Sequence, residues 1–316
     1  MSDLQKSTPS SLGDPLQLGR QISGAIQDRY MAEISRKQPS AFVFLIDQSG
    51  SMQSAFDGQQ SKAEVVAQTI NSLLDTLITR CQKSEPEPRD YFDIALLGYG
   101  GASSEKANLL WEGDLAGRTW VTVSELKRNR QEDRVLEEKN VRGKVLQQEV
   151  VRPRWISPVA NHLTPMCDAF QQAHALLQDW TAKHPRSYPP TVINISDGEQ
   201  TDGSGTSLLQ HAKALRDLHT LDGHLLLLNC HIGADAGAPV LFPKSAAELP
   251  QDDRYARLLY DLSSPMPEAL NQAIANEIKN EDLLPNTSYI GMAYAQGSEG
   301  LLHVMDIGTR QTKRTQ

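Results

Sequence analysis

The sequence predicts an α/β fold, in which a doubly wound and mostly parallel central sheet is flanked by helices. Several apolar runs, such as residues 41–46, show no alternation with polar residues, which is typical of strands buried on both faces of a parallel sheet. Segments with helical periodicity separate these runs, and that alternation is typical of doubly wound domains. Aspartates directly follow two of the runs, at the strand ends where ligands collect in open parallel sheets.

The first 39 residues are predicted to form an N-terminal tail and an amphipathic helix. Residues 1–13 are polar and are expected to be a flexible tail. Asp14 suits a helix cap and Pro15 suits the first helical position, so the helix is expected to begin there and to run to about Ser35. Its apolar residues recur at every fourth position: Leu18, Ile22, Ile26 and Tyr30. We expect this helix to pack on its own domain; an arm that docks on a partner is the alternative.

The main domain is predicted to span residues 40–310, with a short tail at 311–316. Its first strand covers residues 41–46 and is followed by a helix at 61–80 and a second strand at 92–99. The spacing of the apolar residues in this helix places them on one face: Ala63, Val66, Ala67, Ile70, Leu73, Leu74, Leu77 and Ile78.

A β-rich or irregular insertion is expected at about residues 100–158. Residues 120–123 and 145–151 are candidates for hairpin strands, and the charge-dense segment 127–144 lies between them. Residues 101–157 hold 11 Lys and Arg against 9 Asp and Glu, so this stretch is slightly basic in a chain of formal net charge −8. We interpret it as a solvated surface insertion; a phosphate-binding or nucleic-acid-binding lobe is the alternative.

The rest of the chain continues the alternation of strands and helices. The apolar spacing predicts helices at 166–180, 208–218, 255–262 and 270–278. Apolar runs predict strands at 191–196, 225–230 and 300–307, with a loop-rich stretch at 233–253.

Composition bears on domain size, membrane insertion, cellular compartment and nucleic-acid binding. With 316 residues, of which 39% are hydrophobic, the chain is long enough for one large domain with its own core. No apolar run approaches the roughly 18–20 residues needed to span a bilayer, and residues 1–13 lack the pattern of a secretory signal. The three cysteines are widely spaced, so a reducing, cytoplasmic compartment is expected. The net negative charge argues against nucleic-acid binding by the whole surface.

Five oxygen-bearing residues are candidate ligands for one divalent cation. Two are the aspartates at strand ends, and the other three are short hydroxyl residues: Asp47, Ser49, Ser51, Thr164 and Asp197. Hard oxygen donors with little charge suit Mg²⁺, although ligand types alone do not distinguish it from Mn²⁺ or Ca²⁺. Either aspartate alone has an ordinary explanation as a helix cap or an Asx turn, but five such oxygens in this order favour a metal site.

The motifs resemble those of von Willebrand factor A domains. Asp47-x-Ser49-x-Ser51 resembles the opening motif of that family, Thr164-Pro165-Met166 its threonine loop, and Ser196-Asp197-Gly198 its second aspartate. The resemblance covers residues 40–310 apart from the insertion. It implies a parallel sheet flanked by helices, with a metal-ion-dependent adhesion site (MIDAS) on its upper edge.

That resemblance also implies a role for each ligand. Ser49, Ser51 and Thr164 would bind the ion directly, and Asp47 and Asp197 would act mainly through water. A carboxylate from a protein partner would take the sixth position. The threonine loop departs from the family pattern because Asn161, His162 and Leu163 stand where many relatives have glycines. His162 is expected to be a surface residue; an approach to the metal rim is the alternative.

The implied function is a scaffold or regulatory component of a stress-response or phage-defence system. The chain resembles the bacterial cytosolic members associated with tellurium resistance, which tend to be encoded near a protein kinase and a metal-dependent serine/threonine phosphatase. An extracellular adhesin is disfavoured by the absence of a signal, an anchor or paired cysteines in this sequence.

An enzyme is not expected, because the sequence has neither a Walker loop nor a G-x-S-x-G motif. Two alternatives stay open. A metal beside two aspartates is also suited to phosphoester hydrolysis. A nucleic-acid-associated module would use basic residues of the insertion: Lys127, Arg128, Arg130 and Arg134.

Overall fold

An eight-residue strand, β1 (Ser40–Asp47), lies inside the central sheet, and all of its residues are buried. The computed structural model describes residues 30–56, 60–82, 86–141, 144–198, 200–233, 239–278 and 288–295.

The other strands of this sheet have the following bounds: β2 (Phe92–Tyr99), β3 (Ala107–Leu109), β4 (Val121–Thr122), β7 (Thr191–Ser196), β8 (Leu226–Ile232), β9 (Val240–Leu241) and β10 (Met292–Ala295). A separate two-stranded sheet is formed by β5 (Gln131–Val141) and β6 (Lys144–Arg154). The described helices are α1 (Lys62–Cys81), α2 (Val123–Arg128), α3 (Met166–Lys183), α4 (Gly205–Asp217), α5 (Arg254–Leu262) and α6 (Glu268–Glu277).

Among the described residues, the central sheet has eight strands in the order β3-β2-β1-β7-β8-β10-β9, with β4 also paired to β2. Its central strands β2, β1, β7, β8 and β10 pair with one another in parallel. The short strands β3, β4 and β9 are antiparallel to the strands that they join. The carboxyl ends of the central strands therefore meet at one edge of the sheet.

Helices cover both faces of the sheet, which explains why β1 has no polar alternation. Phe42, Phe44 and Ile46 belong to a hydrophobic cluster that includes residues of α1, α2 and α6. Val43 and Leu45, on the opposite face, belong to a second cluster with residues of α3, α4 and α5. The predicted α/β class with a mostly parallel sheet is therefore confirmed. None of the described helices is long and apolar enough to cross a membrane.

The elements that carry the predicted site agree with their predicted bounds. The β2 and β7 strands match the predictions at 92–99 and 191–196, and β1, α1 and α3 differ from theirs by a few residues at the ends. The start of α1 is defined by a capping box, in which the side chains of Ser61 and Glu64 each accept a backbone N–H of the other residue.

The prediction for the insertion was wrong in its strand pairing. Residues 120–123 and 145–151 do not pair with each other: the short β4 strand joins the central sheet beside β2. The hairpin partner of β6 is β5, which occupies most of the charge-dense segment 127–144. The error arose because both strands of the hairpin carry many charged residues, so the apolar alternation of a half-buried strand is absent.

The N-terminal end of the described part differs from the prediction. Residues 30–39 are not helical, so the predicted helix does not reach Ser35; residues 1–29 lie outside the described part. The carboxylate of Asp222 instead accepts the backbone N–H groups of Met31 and Ala32, at 3.1 and 3.0 Å. At the other end, the predicted strand at 300–307 and the tail at 311–316 lie outside the described residues. The β10 strand was not predicted.

Candidate metal centre

Two carboxylates lie together at the carboxyl ends of neighbouring parallel strands. Asp47 is the last residue of β1, and Asp197 directly follows β7. The two strands pair in register up to Ile46 and Ile195, which brings Asp47 beside Ser196. The Ser196 hydroxyl donates to Oδ2 of Asp47 at 2.7 Å and accepts the backbone N–H of Gly198 at 2.7 Å. The end of β7 therefore orients the carboxylate at the end of β1.

The two serines of the first motif lie beside Asp47. The backbone N–H of Ser49 donates to Oδ1 of Asp47 at 2.9 Å, which is the Asx-type contact expected after a strand. A short 3₁₀ turn (Gly50–Gln53) follows and brings the hydroxyls of Ser49 and Ser51 to 3.0 Å from each other. Ser49 is buried and Ser51 is exposed, so the pair links the buried carboxylate to the surface.

Thr164 is held next to this turn by backbone contacts. The carbonyl of His162 accepts the N–H of Gly50 at 3.1 Å. The backbone N–H of Thr164 donates to the Thr201 hydroxyl at 2.8 Å, and its carbonyl accepts the N–H of Thr201 at 3.0 Å. These contacts anchor the threonine loop to the turn after β1 on one side and to the segment after Asp197 on the other.

Gly100, directly after β2, makes this close approach sterically feasible. Its φ of +94° lies in the left-handed region that favours glycine. A Cβ atom at this position would lie 2.4 Å from the carbonyl oxygen of Leu163 and 2.9 Å from the backbone nitrogen of Ser49. The turn after β1 and the threonine loop therefore meet over a residue without a side chain.

Asp197 is paired with a lysine that the sequence motifs do not include. The Lys62 ammonium lies 3.2 Å from Oδ2 of Asp197, and the two side chains are only 8% and 9% exposed. The other oxygen, Oδ1, is buried and has no hydrogen-bond partner among the described residues. A buried carboxylate oxygen without a donor is unfavourable unless a cation or a water satisfies it.

Burial and the charge of Asp197 both affect the ionisation of Asp47. Burial raises the pKa of Asp47 from its ordinary 3.8 to about 7, and the negative charge of Asp197 contributes further to this increase. The hydrogen bonds from Ser49 and Ser196 act in the opposite direction but do not outweigh burial. A divalent cation would favour the ionised form of Asp47, because it would supply a nearby positive charge.

A ladder of buried polar side chains holds the strand ends in place below the site. The Tyr99 hydroxyl donates to Asn194 at 2.9 Å, and Asn194 donates to Asn229 at 2.9 Å. Asn229 in turn donates to the Ser263 hydroxyl at 3.0 Å. Because the ladder links β2, β7, β8 and the end of α5, it fixes the relative positions of the strands that carry the site.

A cleft of about 410 Å³ opens beside Asp197 and Lys62. His231, at the end of β8, lines it and is 2.9 Å from Asp253 through Nε2, while its Nδ1 lies 3.3 Å from the carbonyl of Ser196. Asp253 also caps α5 by accepting the N–H groups of Tyr255 and Ala256. The cleft therefore has a rigid wall built from the ends of two strands and the start of a helix.

The residues present fit a hard divalent cation. Hydrogen bonds link Asp47 to Ser49 and Ser49 to Ser51, and the charge of Asp197 acts on Asp47. Thr164 lies on the loop that packs against the turn carrying the two serines. In the described part of the chain, no group of three or more His, Cys, Asp and Glu side chains is placed to hold a metal ion. That result is compatible with the predicted ligand set, which has two carboxylates and three hydroxyls. The choice of these five residues as ligands stays a prediction.

Several site residues were not found from the sequence. Lys62, Thr201 and His231 contact site residues that are distant in sequence, at separations of 135, 37 and 35 positions, and nothing in their local sequence marks them. Ser196 was part of the quoted motif, but its hydrogen bond to Asp47 was not foreseen. The His162 side chain is exposed and its Nε2 pairs with the neighbouring Asn161, so its backbone carbonyl rather than its ring contributes to the loop.

Acidic neighbours balance part of the basic insertion. Arg130 pairs with Asp75 and Glu132, and Arg134 pairs with Glu149. Lys127 donates to the carbonyl of Pro86. These contacts do not favour the nucleic-acid alternative.

Comparison with other proteins gives similarity at the level of structure only. The sequence matches no protein-family model and no curated protein. Among solved structures, von Willebrand factor type A from Catenulispora acidiphila is 16% identical, with a TM-score of 0.38 over 63% of this chain and 34% of its own. Manganese-loaded Plasmodium vivax TRAP is 14% identical, with a TM-score of 0.41 over 85% of this chain and 72% of its own.

The pilus adhesin SpaC from Lactobacillus rhamnosus GG is 12% identical, with a TM-score of 0.47 over 90% of this chain and 32% of its own. This chain thus spans about a third of the length of the Catenulispora and Lactobacillus proteins. The likeness is one of fold. At these identities it says nothing of ligands or partners, and the site is described by its own contacts.

Proposed function

We propose that this chain is a metal-dependent protein-binding module with a MIDAS-type site. The observation that carries the proposal is the meeting of Asp47, Ser49, Ser51 and Asp197 at one edge of the sheet, where Oδ1 of Asp197 is buried without a donor among the described residues. Mg²⁺ is the proposed ion because the ligands are hard oxygen donors, with Mn²⁺ and Ca²⁺ as alternatives.

In this proposal, the hydroxyls of Ser49, Ser51 and Thr164 bind the ion, and Asp47 and Asp197 hold water in its shell. The ion supplies a Lewis-acidic position for a carboxylate of the protein partner. Three neutral ligands withdraw little of its charge, so a carboxylate from another molecule forms a strong, directional bond. Ser196 and Lys62 support this arrangement by orienting one carboxylate each.

Binding is favoured over catalysis by the chemistry of the other side chains. Burial raises the pKa of Cys167 to about 11 and that of Cys81 to about 12, and it raises the pKa of Cys230 as well. Thiols in this state are poor nucleophiles. Both carboxylate oxygens of Asp47 accept hydrogen bonds, from Ser49 and Ser196, so this group is not placed as a free general base.

The biological setting is proposed from the sequence resemblance. A cytoplasmic scaffold or regulatory component of a stress-response or phage-defence system, acting with a protein kinase and a metal-dependent phosphatase, accords with the resemblance to tellurium-resistance-associated proteins. An acidic segment on one of those proteins is the proposed ligand of the ion.

The test is an affinity capture of partners in Mg²⁺ and in EDTA. We expect proteins that are retained by the wild-type chain in Mg²⁺ to be lost in EDTA and with Ser49→Ala. Ser54→Ala is the matched control, because Ser54 is an exposed serine a few residues further along, and this variant should retain the partners. Equal capture in EDTA and in Mg²⁺ would contradict the proposal.

A further inference from the structure

Lys62 occupies a position that is unfavourable for a lysine. It is the first residue of α1, where the helix dipole disfavours positive charge, and it is 7% exposed. Burial of an ammonium group adds a desolvation penalty. A lysine in such a place is expected only where a nearby negative charge compensates, and Asp197, at 3.2 Å, supplies that charge.

The two carboxylate oxygens of Asp197 differ in their contacts. Oδ2 faces the ammonium of Lys62, while Oδ1 is buried without a donor among the described residues. One oxygen is thus available to the shell of an ion while the other stays with the lysine. Lys62 and a bound ion would therefore share one carboxylate, and their positive charges would repel each other in a region with little solvent.

We infer that the positive charge of Lys62 lowers the affinity of the site for the divalent ion until a carboxylate of the partner joins the ion's ligands. The inference rests on the proposed function and deepens it. With Lys62 present, the two aspartates and the ion together leave one positive charge, which the partner carboxylate neutralises. Without Lys62, the ion alone would neutralise the two aspartates, and the partner carboxylate would add an uncompensated negative charge.

This charge balance couples the binding of the ion to the binding of an acidic partner. A site that is neutral only with both ion and partner binds the two cooperatively, since each supplies the charge that the other requires. The position of Lys62 beside the cleft of about 410 Å³ also keeps its positive charge near the surface on which a partner would dock. Acidic partners are therefore attracted to the loaded site by the lysine as well as by the ion.

The test is the affinity of the full chain for Mn²⁺ alone, measured by electron paramagnetic resonance of the free ion at constant pH and ionic strength. We expect Lys62→Gln and Lys62→Met to bind Mn²⁺ about tenfold more tightly than the wild type, because a unit charge close to the ion has been removed. Lys62→Arg keeps the charge and should bind Mn²⁺ within about twofold of the wild type. Two uncharged variants are used so that a folding defect in one does not decide the result.

Lys213→Gln is the matched control, because Lys213 is an exposed helical lysine that also pairs with an aspartate, Asp217. Its Mn²⁺ affinity should equal that of the wild type. Equal or weaker binding in both neutral Lys62 variants would overturn the inference, as would tighter binding in Lys62→Arg. Absence of Mn²⁺ binding in the wild type and in the Lys62 variants alike would instead contradict the proposed function itself.

Discussion

The hydroxyl of Ser196 lies 2.7 Å from Oδ2 of Asp47 and joins the ends of two neighbouring strands. Its removal leaves a buried carboxylate oxygen without a donor, so Ser196→Ala should lower the free energy of unfolding by about 1–3 kcal/mol and weaken Mg²⁺ binding. Ser40→Ala is the control, because Ser40 is equally buried and lies at the opposite end of β1. It should affect stability but not metal affinity, as measured by urea unfolding and calorimetric titration; equal loss of metal affinity in both variants would contradict this role.

Asp47 should destabilise the fold when it is ionised without a bound cation. Its pKa is raised to about 7, so the stability contributed by its proton is fully present below the ordinary value of 3.8 and is lost as the pH rises through about 7. Asp47→Asn should therefore raise the free energy of unfolding at pH 8 in EDTA by about 1–3 kcal/mol. Thermal unfolding checks this, and the same variant should show no further stabilisation by Mg²⁺. A less stable variant in EDTA would contradict the account.

Gly100 should tolerate no side chain. Gly100→Ala combines a left-handed backbone with a clash against Leu163 and Ser49, so we expect a loss of about 3 kcal/mol or more in unfolding free energy. Gly117 also has a positive φ, of 79°, but a Cβ atom added there would meet nothing within 4 Å. Gly117→Ala should lose only about 1 kcal/mol, from the backbone alone. Similar losses in urea unfolding of the two variants would show that the loop packing at Gly100 is unimportant.

Asp253 should stabilise the fold at neutral pH and lose that effect in acid. The hydrogen bond with His231, supported by the N–H groups of Ala256 and Tyr255, lowers its pKa to about 2. The stabilisation is present above the ordinary value of 3.8 and is lost as the pH falls through about 2. Asp253→Ala should lose about 1–3 kcal/mol at pH 7 and show a smaller deficit at pH 2.

Urea unfolding at both pH values measures this difference. The neighbouring Asp252 is exposed, and Asp252→Ala serves as the control that should match the wild type. A deficit for Asp253→Ala that is as large at pH 2 as at pH 7 would mean that packing, rather than the charged hydrogen bond, accounts for its effect.

The central strands were predictable because burial on both faces produces a distinctive local pattern. Continuous apolar runs identified β1, β2 and β7, and strand-end aspartates then placed Asp47 and Asp197 at one edge. Helical periodicity identified α1 and α3 because each helix places its apolar residues on one face, against the sheet. These elements are specified by residues that are close in sequence.

Features that depend on distant residues were not predictable. Lys62 and Asp197 are 135 positions apart, and the contact of Met31 with Asp222 spans 191. The hairpin of β5 and β6 lacks the apolar pattern of the central strands because it forms a separate two-stranded sheet, and Asn71 of α1 fixes its base. The Asn71 side chain accepts the N–H groups of Trp155 and Ile156 and donates to the carbonyl of Ile156.

The central claim is tested most directly by calorimetric titration of the wild-type chain and of Asp47→Asn with Mg²⁺ and Mn²⁺. We expect a single saturable site in the wild type that is absent from Asp47→Asn, while circular dichroism shows both proteins folded. A wild-type chain that binds neither ion, or an Asp47→Asn chain that binds them with unchanged affinity, would contradict it.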